Sequence, residues 1–279
     1  MIYAINYANE KYRNAQKLNS KSAYIQGVQK VIEYGPKDLS DVFVLKNQGT
    51  LQCVRGNGYW LWKPYIIDRT LSQINEGDYL IYADSGTTYV NKVHFLIKAL
   101  ETSQTDIMLF QIKSLEKYYT KRDAFIIMQC DTDEYASSPQ ICATFMMIKK
   151  TDRSAQFIKE WLNYAQNEQL ITDSENIMGS PNYEGFVDHR HDQSILSLLS
   201  KKYHIEPFRD ASQYGNDMKY EDAVIKRSTY PQIFDSHRNS QITAFWIVYK
   251  FSLDKKWSNL LLAIRKWLSK IKRFILHKR

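Results

Sequence analysis

Glycine and proline are scarce in this chain, with 10 and 6 residues among 279. That scarcity excludes a collagen-like, low-complexity or disordered chain. A content of 44% hydrophobic and 14% aromatic residues is instead ample for a sizeable core. The length suits one large α/β domain, either alone or with a small appendage.

Cysteines are also few, and Cys53, Cys130 and Cys142 form no C-x-x-C pair. This spacing indicates ordinary reduced thiols rather than a disulfide framework. The first residues lack a basic region before an apolar run, and no stretch of about 20 uninterrupted apolar residues occurs. We therefore expect neither a secretory signal nor a membrane-spanning helix. Walker A, G-x-G-x-x-G and G-x-S-x-G motifs are absent as well.

Acidic residues are missing from segment 255–279, which holds nine of the 38 Lys and Arg residues. The other 29 basic residues nearly balance the 30 acidic ones, so the net charge of +8 originates in this segment. A general nucleic-acid binder usually spreads its basic residues over the folded body. We therefore expect no nucleic-acid partner.

Strand-like and helix-like segments alternate along the chain. Strands are predicted at 2–8, 30–34, 79–83, 107–112 and 141–148, and helices at 10–26, 58–67, 90–100, 154–166 and 192–203. This alternation predicts an α/β fold. The clearest break in composition is near Asp254. We therefore predict one domain over 1–254 and a separate segment over 255–279.

The predicted strand over 79–83 is followed by Asp84, Ser85 and Gly86. An acid at the carboxyl end of a buried strand lies where α/β folds bind their ligands. Such an acid can hold a divalent cation or a sugar hydroxyl. Alternatively, the three residues close a β-turn in which the glycine adopts an unusual backbone angle.

Two tryptophans and a lysine precede this strand, at Trp60, Trp62 and Lys63. A lysine beside a helix start could pair with a diphosphate, because helix N-termini already attract anions. Aromatic rings can stack on nucleobases and sugar rings. The alternative is that both tryptophans belong to the core or its rim and that the lysine is solvated.

A polar run from Asp188 to Gln193 directly precedes another predicted helix. Its side chains could supply acid–base groups and hydrogen bonds to sugar hydroxyls. Helix capping is the alternative, since an acid in the first turn complements the helix dipole. Capping requires one such residue rather than five, and this favours a functional site.

Two further features could bind a metal. Asp131-Thr-Asp133 matches the D-x-D pattern of metal–nucleotide sites, but we interpret it first as an acidic loop. His237 is a late, isolated histidine that could complete a metal site begun by Asp84.

Three blocks, GYWLWKPY at 58–65, GDYLIYADSG at 77–86 and HRHDQSILSLL at 189–199, follow one another in this order. Together they resemble bacterial GT-A-type glycosyltransferases that build capsular or lipopolysaccharide glycans, over roughly residues 1–240. The resemblance implies a single GT-A-like, Rossmann-like domain and a nucleotide-sugar donor. It also implies an acceptor hydroxyl on a cell-surface glycan or its lipid-linked precursor, and a divalent cation, Mn²⁺ or Mg²⁺.

The resemblance also suggests roles for individual residues. It makes Asp192 and Gln193 the catalytic pair, His189 and Arg190 acceptor or sugar ligands, and Asp84 and His237 metal ligands. We assign donor binding to Asn6, Trp60, Lys63, Asp84 and Ser85. The second acid of a D-x-D is replaced by Gly86, so Lys63 or Arg190 could neutralise the leaving diphosphate without a metal. The same replacement leaves a non-catalytic sugar-binding module as an alternative, and inversion versus retention stays open.

In segment 255–279, tryptophan and aliphatic residues recur every three or four positions, with Lys and Arg over much of the other face. This pattern is typical of an amphipathic helix at an anionic membrane surface. The alternative is a C-terminal helix packed on the body with a solvated basic face. We expect a cytoplasmic protein, peripheral on the inner face of the plasma membrane.

Overall fold

The computed structural model describes residues 1–237. Its strands are β1 (Ile2–Tyr7), β2 (Lys30–Tyr34), β3 (Tyr79–Ala83), β4 (Thr87–Tyr89), β5 (Ile107–Leu115), β6 (Pro139–Lys149), β7 (Phe208–Arg209) and β8 (Phe234–Ser236). Its helices are α1 (Arg13–Ile25), α2 (Asp41–Lys46), α3 (Gln48–Leu51), α4 (Gly56–Tyr59), α5 (Trp62–Leu71), α6 (His94–Thr102), α7 (Glu116–Tyr119), α8 (Arg122–Ile127), α9 (Asp133–Ala136), α10 (Asp152–Ala165), α11 (Glu168–Ile171), α12 (His191–Lys202) and α13 (Asp222–Arg227). The predicted boundary at 254 and the predicted amphipathic segment 255–279 lie outside the described residues.

Six strands form the central sheet, in the order β2-β1-β3-β6-β5-β7. Strand β1 pairs in parallel with both β2 and β3, and β5 pairs in parallel with β7. The long β6 runs antiparallel to its neighbours β3 and β5. The sheet is therefore mixed but predominantly parallel, and it confirms the predicted α/β class.

Apolar layers cover both faces of this sheet. Along β3, Leu80 and Tyr82 belong to one layer, whereas Ile81 and Ala83 belong to the other, as the two-residue period of a strand requires. The first layer includes side chains from α5, α10 and α12, and the second includes side chains from α1 and α6. The near-continuous apolar run of β3 thus reflects burial on both sides.

The predicted helix over 58–67 differs most from the structure. Helix α5 begins at Trp62, and Pro64 is its third residue, within the first turn, where a missing N–H costs nothing. Residues 56–60, which include the short α4, all have positive φ angles, so this segment is a left-handed turn rather than a right-handed helix. Hydrophobic spacing could not reveal this change of hand, because it reports which face is apolar and not the sign of φ.

A small two-stranded sheet also escaped prediction. Its strands β4 and β8 pair Thr87 with Ser236. Strand β4 ends at Tyr89, directly before the helix predicted over 90–100, and that helix begins only at His94 as α6. The pairing brings His237 beside the end of β3, where its backbone N–H donates to the carbonyl oxygen of Gly86 at 3.0 Å. Strands of three residues are too short for alternation to be visible.

No helix within residues 1–237 is long and apolar enough to cross a membrane. The three cysteines are free thiols, and Cys130 and Cys142 are buried.

Candidate active site

A cleft of about 660 Å³ opens at the carboxyl ends of β1 and β3. Its lining combines residues after these two strands, the left-handed turn before α5, the middle of β6 and the start of α12. This volume lies within the range of small-molecule sites, and the carboxyl ends of strands are where α/β sheets place them. The cleft is therefore the candidate active site.

A buried lysine joins two acids at the floor of the cleft. The Nζ atom of Lys63 lies 2.8 Å from Oδ2 of Asp192 and 3.6 Å from Oδ1 of Asp84. It also donates to the carbonyl oxygen of Ala143 at 3.1 Å. Lys63 and Asp192 are each 3% exposed, whereas the Asp84 side chain is 33% exposed. We call these three residues the acid–lysine triad.

Lys63 and Asp192 are both charged near neutral pH. Burial alone would lower the pKa of the Lys63 ammonium, but Asp192 and Asp84 together outweigh burial and raise that pKa above its ordinary value. Burial raises the pKa of Asp192 to about 6, although Lys63 opposes the rise. At a pH between these two pKa values, the Asp192 carboxylate is ionised and lies against the Lys63 ammonium, and both are buried away from water. Carboxylates with raised pKa values in clefts are candidates for catalysis.

Asp84 and Ser85 are fixed by neighbouring strands. The hydroxyl of Tyr82 donates to Oδ1 of Asp84, and the Asp84 backbone N–H donates to the carbonyl oxygen of Thr144 at 2.8 Å. Ser85 is buried, and its hydroxyl donates to the carbonyl oxygen of Tyr7 at 2.7 Å. Asp84 therefore presents its remaining carboxylate surface to the cleft, while Ser85 ties the ends of β1 and β3 together.

The left-handed turn Gly56–Trp60 forms one wall of the cleft. Asn57, Tyr59 and Trp60 have φ angles of 55°, 51° and 59°, a conformation that costs about 1–2 kcal/mol for each non-glycine residue. The N–H groups of Gly58 and Tyr59 bond to the carbonyl oxygens of Cys53 and Arg55 at 2.9 and 2.8 Å. Backbone strain that the surroundings hold in place is characteristic of functional sites.

Side-chain contacts hold this turn against the long loop before α12. Arg55 pairs with Asp173 at 2.9 Å and with Asp188 at 2.6 Å. The Trp60 ring stacks on the ring of His191, with centroids 5.5 Å apart. The two walls of the cleft are therefore joined by two ion pairs and a ring contact.

Two glycines at positive φ allow the turn to be tested. Gly58 has φ of 92°, and a Cβ atom there would lie 2.8 Å from the Cα of Leu51. Gly77 has φ of 81° but open space around it. We expect Gly77→Ala to lower the free energy of unfolding by about 1–2 kcal/mol through backbone strain alone. Gly58→Ala should cost a further 1–3 kcal/mol, roughly, because it also forces a backbone clash. Urea denaturation of both variants measures this difference in the free energy of unfolding. Equal losses in the two variants would show that the turn accommodates the added methyl group at Gly58 without a clash.

Asn6 lies behind the cleft rather than in it, which corrects its place in the predicted donor site. Its side chain is fully buried, and its amide bonds to Asn19, Ser20 and Gln16 at 2.8–3.0 Å. A buried amide whose partners all come from the protein has no group to offer a ligand. Asn6 is therefore a structural residue that anchors α1 to β1.

The ring of His189 is also committed within the protein. Its Nε2–H donates to the carbonyl oxygen of Leu170 at 2.7 Å, and its Nδ1 accepts from the backbone N–H of Lys121 at 3.2 Å. Burial lowers the pKa of His189 well below its usual range. The ring is thus neutral and fixed, so the predicted contact with a sugar is not available to its nitrogen atoms.

Arg190 and Gln193 do line the cleft, beside Asp192. The Arg190 guanidinium lies 3.6 Å from the ring centre of Tyr119 and donates to Gln140 Oε1 at 3.0 Å. Gln193 accepts from the backbone N–H of Ala143 at 3.2 Å and donates to the same Gln140 oxygen at 3.2 Å. Both side chains are therefore held in position at the cleft wall.

The described residues supply only some of the ligands that the predicted metal ion would need. Within residues 1–237 no group of three or more His, Cys, Asp or Glu could hold a metal ion by itself. Asp131, of the D-x-D match, pairs with Arg122 at 2.7 Å and accepts from the Tyr183 hydroxyl at 2.8 Å, away from the cleft lining. Asp84 faces the cleft. His237 directly follows β8, and β8 pairs with β4, which begins three residues after Asp84. A cation here would need phosphate oxygens from a ligand, as Mg²⁺ commonly does.

Tyr7, Arg55 and Asn57 are among the cleft residues that escaped prediction. Tyr7 stacks on Trp62 with ring centroids 3.8 Å apart, and its hydroxyl accepts from the Asn57 amide at 2.7 Å. Arg55 supplies the ion pairs across the walls. The sequence signal was the run Arg55-Gly-Asn-Gly58, because Asn and Gly are the residues that most readily adopt left-handed angles.

No protein-family model matches this chain. No curated protein matches it either. Solved structures with a similar chain course include mouse xyloside xylosyltransferase 1 in its apo form, at 10% identity over 87% of this chain and 99% of that one, with a TM-score of 0.44.

Two further solved structures are similar at the same level. The galactosyltransferase LgtC, in complex with donor and acceptor sugar analogues, has 13% identity over 84% of this chain and 86% of its own, with a TM-score of 0.43. The apo glycosyltransferase GlyE of Streptococcus pneumoniae has 14% identity over 96% of this chain and 63% of its own, with a TM-score of 0.44. At these identities the likeness concerns the fold alone, and we take no residue role from it.

Proposed function

We propose that the protein is a glycosyltransferase that moves a sugar from a nucleotide-diphosphate donor to an acceptor hydroxyl. The observation that carries this proposal is the acid–lysine triad at the floor of a strand-end cleft. An ion pair with a purely structural role would need neither an open cleft nor a second acid that is one-third exposed, as Asp84 is. The three sequence blocks that resemble GT-A-type glycosyltransferases contribute Lys63, Asp84 and Asp192 to this one site.

The charges of the cleft suit an anionic donor. Four basic and three acidic residues line the cleft, so its formal charge is positive even with neutral histidines. The basic residues are Lys11, Arg55, Lys63 and Arg190, and the acidic ones are Asp84, Asp188 and Asp192. In this proposal Lys11 and Arg190, which both line the cleft, are the candidate partners of the diphosphate. Trp60, which is only partly buried, offers ring surface for the base or the sugar.

In the proposed reaction the bond between the anomeric carbon and the diphosphate oxygen breaks. A new bond forms from that carbon to the acceptor oxygen, and the acceptor hydroxyl gives its proton to the departing diphosphate or to solvent water. Positive charge develops on the sugar and negative charge on the diphosphate, so opposite charges fixed beforehand on the two sides stabilise the transition state. In this proposal Asp192 faces the sugar, and Lys63 favours the ionised form of its carboxylate.

A divalent cation, Mn²⁺ or Mg²⁺, would be held by Asp84 together with the donor phosphates, and His237 is the candidate second protein ligand. Such an ion would supply Lewis-acid stabilisation of the leaving diphosphate. The acceptor is proposed to be a cell-surface glycan or its lipid-linked precursor. The basic segment 255–279 supports a peripheral position on an anionic membrane, where lipid-linked acceptors lie.

Thermal denaturation with UDP-, GDP-, CMP- and dTDP-sugars, with and without Mn²⁺, tests this function. We expect one nucleotide class to raise Tm by about 5–10 °C at a concentration near 100 times its Kd. Asp84→Asn should abolish the part of the shift that depends on Mn²⁺. Asp133→Asn, in the D-x-D outside the cleft, is the matched control and should keep it.

Two other results would change the proposal. A donor shift without turnover in the presence of candidate acceptors would favour a non-catalytic nucleotide-sugar-binding module of the same fold. The absence of any shift with all four classes would contradict the donor site itself.

A further inference from the structure

A fully buried glutamine lies behind one wall of the cleft. Gln140 is the second residue of β6, and its side chain is inaccessible to solvent. Its Oε1 atom accepts from Nη1 of Arg190 at 3.0 Å and from Nε2 of Gln193 at 3.2 Å. Arg190 and Gln193 both line the cleft, whereas the buried amide cannot itself reach a ligand. One oxygen atom outside the cleft therefore fixes two side chains inside it.

The amide of Gln140 can take only one orientation. Its Nε2 atom donates to Oε2 of Glu116 at 3.1 Å and to the hydroxyl oxygen of Thr120 at 3.1 Å. A carboxylate only accepts hydrogen bonds, and a guanidinium only donates them. A rotated amide would place its N–H groups against Arg190 and its oxygen against Glu116, so both contacts would become repulsive. Glu116 therefore determines which end of Gln140 faces the cleft wall.

A buried carboxylate thus anchors the glutamine. Glu116 is the first residue of α7, directly after β5, and it is fully buried. Besides Gln140, its carboxylate accepts from the hydroxyls of Thr120 and Ser197 and from Nζ of Lys201 at 2.6 Å. Buried charges are found where they are paired and hydrogen-bonded, and Lys201 supplies the opposite charge here. Glu116 is therefore a fixed acceptor.

Three residues of α12 face this pair at a spacing of four. Gln193 contacts Gln140, and Ser197 and Lys201 contact Glu116. Side chains four positions apart lie on the same face of a helix, so one face of α12 is hydrogen-bonded to the pair. These polar contacts, together with apolar packing, set the rotation of α12 at the cleft.

The guanidinium of Arg190 is also held on a second side. It lies 3.6 Å from the ring centre of Tyr119, and the Arg190 backbone N–H donates to the Tyr119 carbonyl oxygen at 3.0 Å. The Nε2 atom of Gln140 donates to the same carbonyl oxygen at 3.4 Å. Ordering a flexible side chain on binding weakens the affinity for a ligand. For Arg190, this ordering takes place during folding instead.

We propose that Gln140 is a positioning residue: Glu116 orients its amide, and the amide holds the Arg190 guanidinium where it binds a diphosphate in the cleft. The inference rests on the proposed function, because that function assigns a diphosphate to the cleft. It adds two buried residues that determine how tightly the diphosphate binds without contacting it. A purely structural role would explain their burial, but it would not predict a loss that concerns diphosphates alone.

Replacing Gln140 with methionine, in the full chain, tests the positioning. The side chain keeps a similar size but loses its contacts with Arg190 and Gln193. The Kd for UDP, GDP or dTDP, whichever the wild type binds, should rise by about 2- to 12-fold, the effect of ordering one flexible side chain on binding. The Kd for the corresponding nucleoside, which has no phosphate, should stay the same. Isothermal titration calorimetry measures the diphosphate, and competition against it measures the weaker nucleoside.

Two results of this titration would overturn the proposal. An unchanged diphosphate Kd would show that Arg190 needs no support from Gln140, and equal weakening of diphosphate and nucleoside would show general damage to the cleft. Gln16→Met in α1 is the matched control, because Gln16 is also fully buried and its amide donates to Asn6 and to the carbonyl oxygen of Tyr34. It should lose stability as Gln140→Met does and keep the diphosphate Kd.

A second variant tests the orientation of the amide. In Glu116→Gln, an NH₂ group replaces a carboxylate oxygen, so Nε2 of Gln140 loses its acceptor and the amide can rotate against Arg190. The diphosphate Kd should therefore rise in this variant too, with an unchanged nucleoside Kd. An unchanged diphosphate Kd in Glu116→Gln would contradict the role of Glu116.

Urea denaturation separates this inference from the function. Gln140→Met and Arg190→Met disrupt the same hydrogen bond, so the double variant should lose less stability than the sum of the single losses. Gln140→Met/Gln16→Met, whose residues have different hydrogen-bond partners within residues 1–237, should be additive. Additive losses in the first pair would contradict the link between Gln140 and Arg190.

The two sets of measurements can fail independently. If the wild type binds none of the three diphosphates while Gln140 and Arg190 are coupled in unfolding, the link stands and the proposed function fails. If the wild type binds a diphosphate and Gln140→Met binds it equally tightly, the function stands and the positioning role is wrong.

Discussion

Replacing Lys63 with methionine is expected to lower the free energy of unfolding by about 3–5 kcal/mol near pH 8. Lys63 is 3% exposed, and its ammonium lies 2.8 Å from the buried carboxylate of Asp192. The substitution keeps much of the apolar stem but leaves an ionised acid without its partner in a dry environment. Removing one member of a buried ion pair costs more than the pair contributed, because the remaining charge is uncompensated.

The pH dependence and a double variant test the cause of this loss. The pKa of Asp192 is about 6, so near pH 5 its carboxyl is protonated and needs no cation, and the loss in Lys63→Met should shrink. Lys63→Met/Asp192→Asn removes both charges and should recover most of the stability. Lys17→Met, at an exposed position of α1, is the control and should change stability by less than about 0.5 kcal/mol. A loss below about 1 kcal/mol near pH 8, measured by urea denaturation, would contradict the buried pair.

Replacing Asp192 with asparagine is expected to lower the rate of sugar transfer by about 10²–10⁴-fold, the range for loss of a positioned acid–base group. The wild-type kcat/KM should rise with pH through about 6, because only the ionised Asp192 carries negative charge toward the sugar. Asp192→Asn should lose this limb of the pH profile while keeping the donor-induced thermal shift. The matched control is Asp188→Asn, which also removes a cleft carboxylate and should keep the limb.

Acid unfolding caused by protonation of Asp192 would not explain a kcat/KM that rises with pH through about 6. The folded pKa of Asp192, about 6, lies above its ordinary value of 3.8, so the folded protein binds a proton more readily than the unfolded chain does. The contribution of Asp192 to stability therefore decreases as pH rises from about 4 to about 6, and it is larger on the acid side. If kcat/KM of Asp192→Asn still rose with pH through about 6, the ionisation behind that rise would belong to another group.

The sequence singles out Lys63, Asp84 and Asp192 as candidate site residues because each lies at a recognisable boundary of a strand or helix. It could not predict how these three residues are arranged relative to one another. The lysine was expected to be solvated or to face a diphosphate, whereas it is buried between the two acids. Residues from three distant parts of the chain meet there, and the distance between them depends on how α5 and α12 pack on the sheet.

The error at Asn6 has a simpler cause. Successive side chains of a strand point to opposite faces, so a prediction that is displaced by one residue selects the wrong face. Asn6 points toward α1, and its neighbour Tyr7 lines the cleft. A polar residue near a strand end was taken for a ligand-binding group, but α1 contributes Gln16 and Asn19, which satisfy the Asn6 amide. Hydropathy could not distinguish an amide with buried partners from one that faces a cleft.

The left-handed turn has a consequence for synthesis of the protein on the ribosome. The acids that hold Arg55 lie 118 and 133 residues later in the chain. At about 5–20 residues per second, the nascent turn therefore waits roughly 6 to 27 s before its partners have been made. During that interval Arg55 lacks its salt bridges, and Tyr59 and Trp60 lack the His191 ring that they contact in the folded protein. This wall of the cleft is consequently open to chaperones and proteases while the rest of the domain is still being translated.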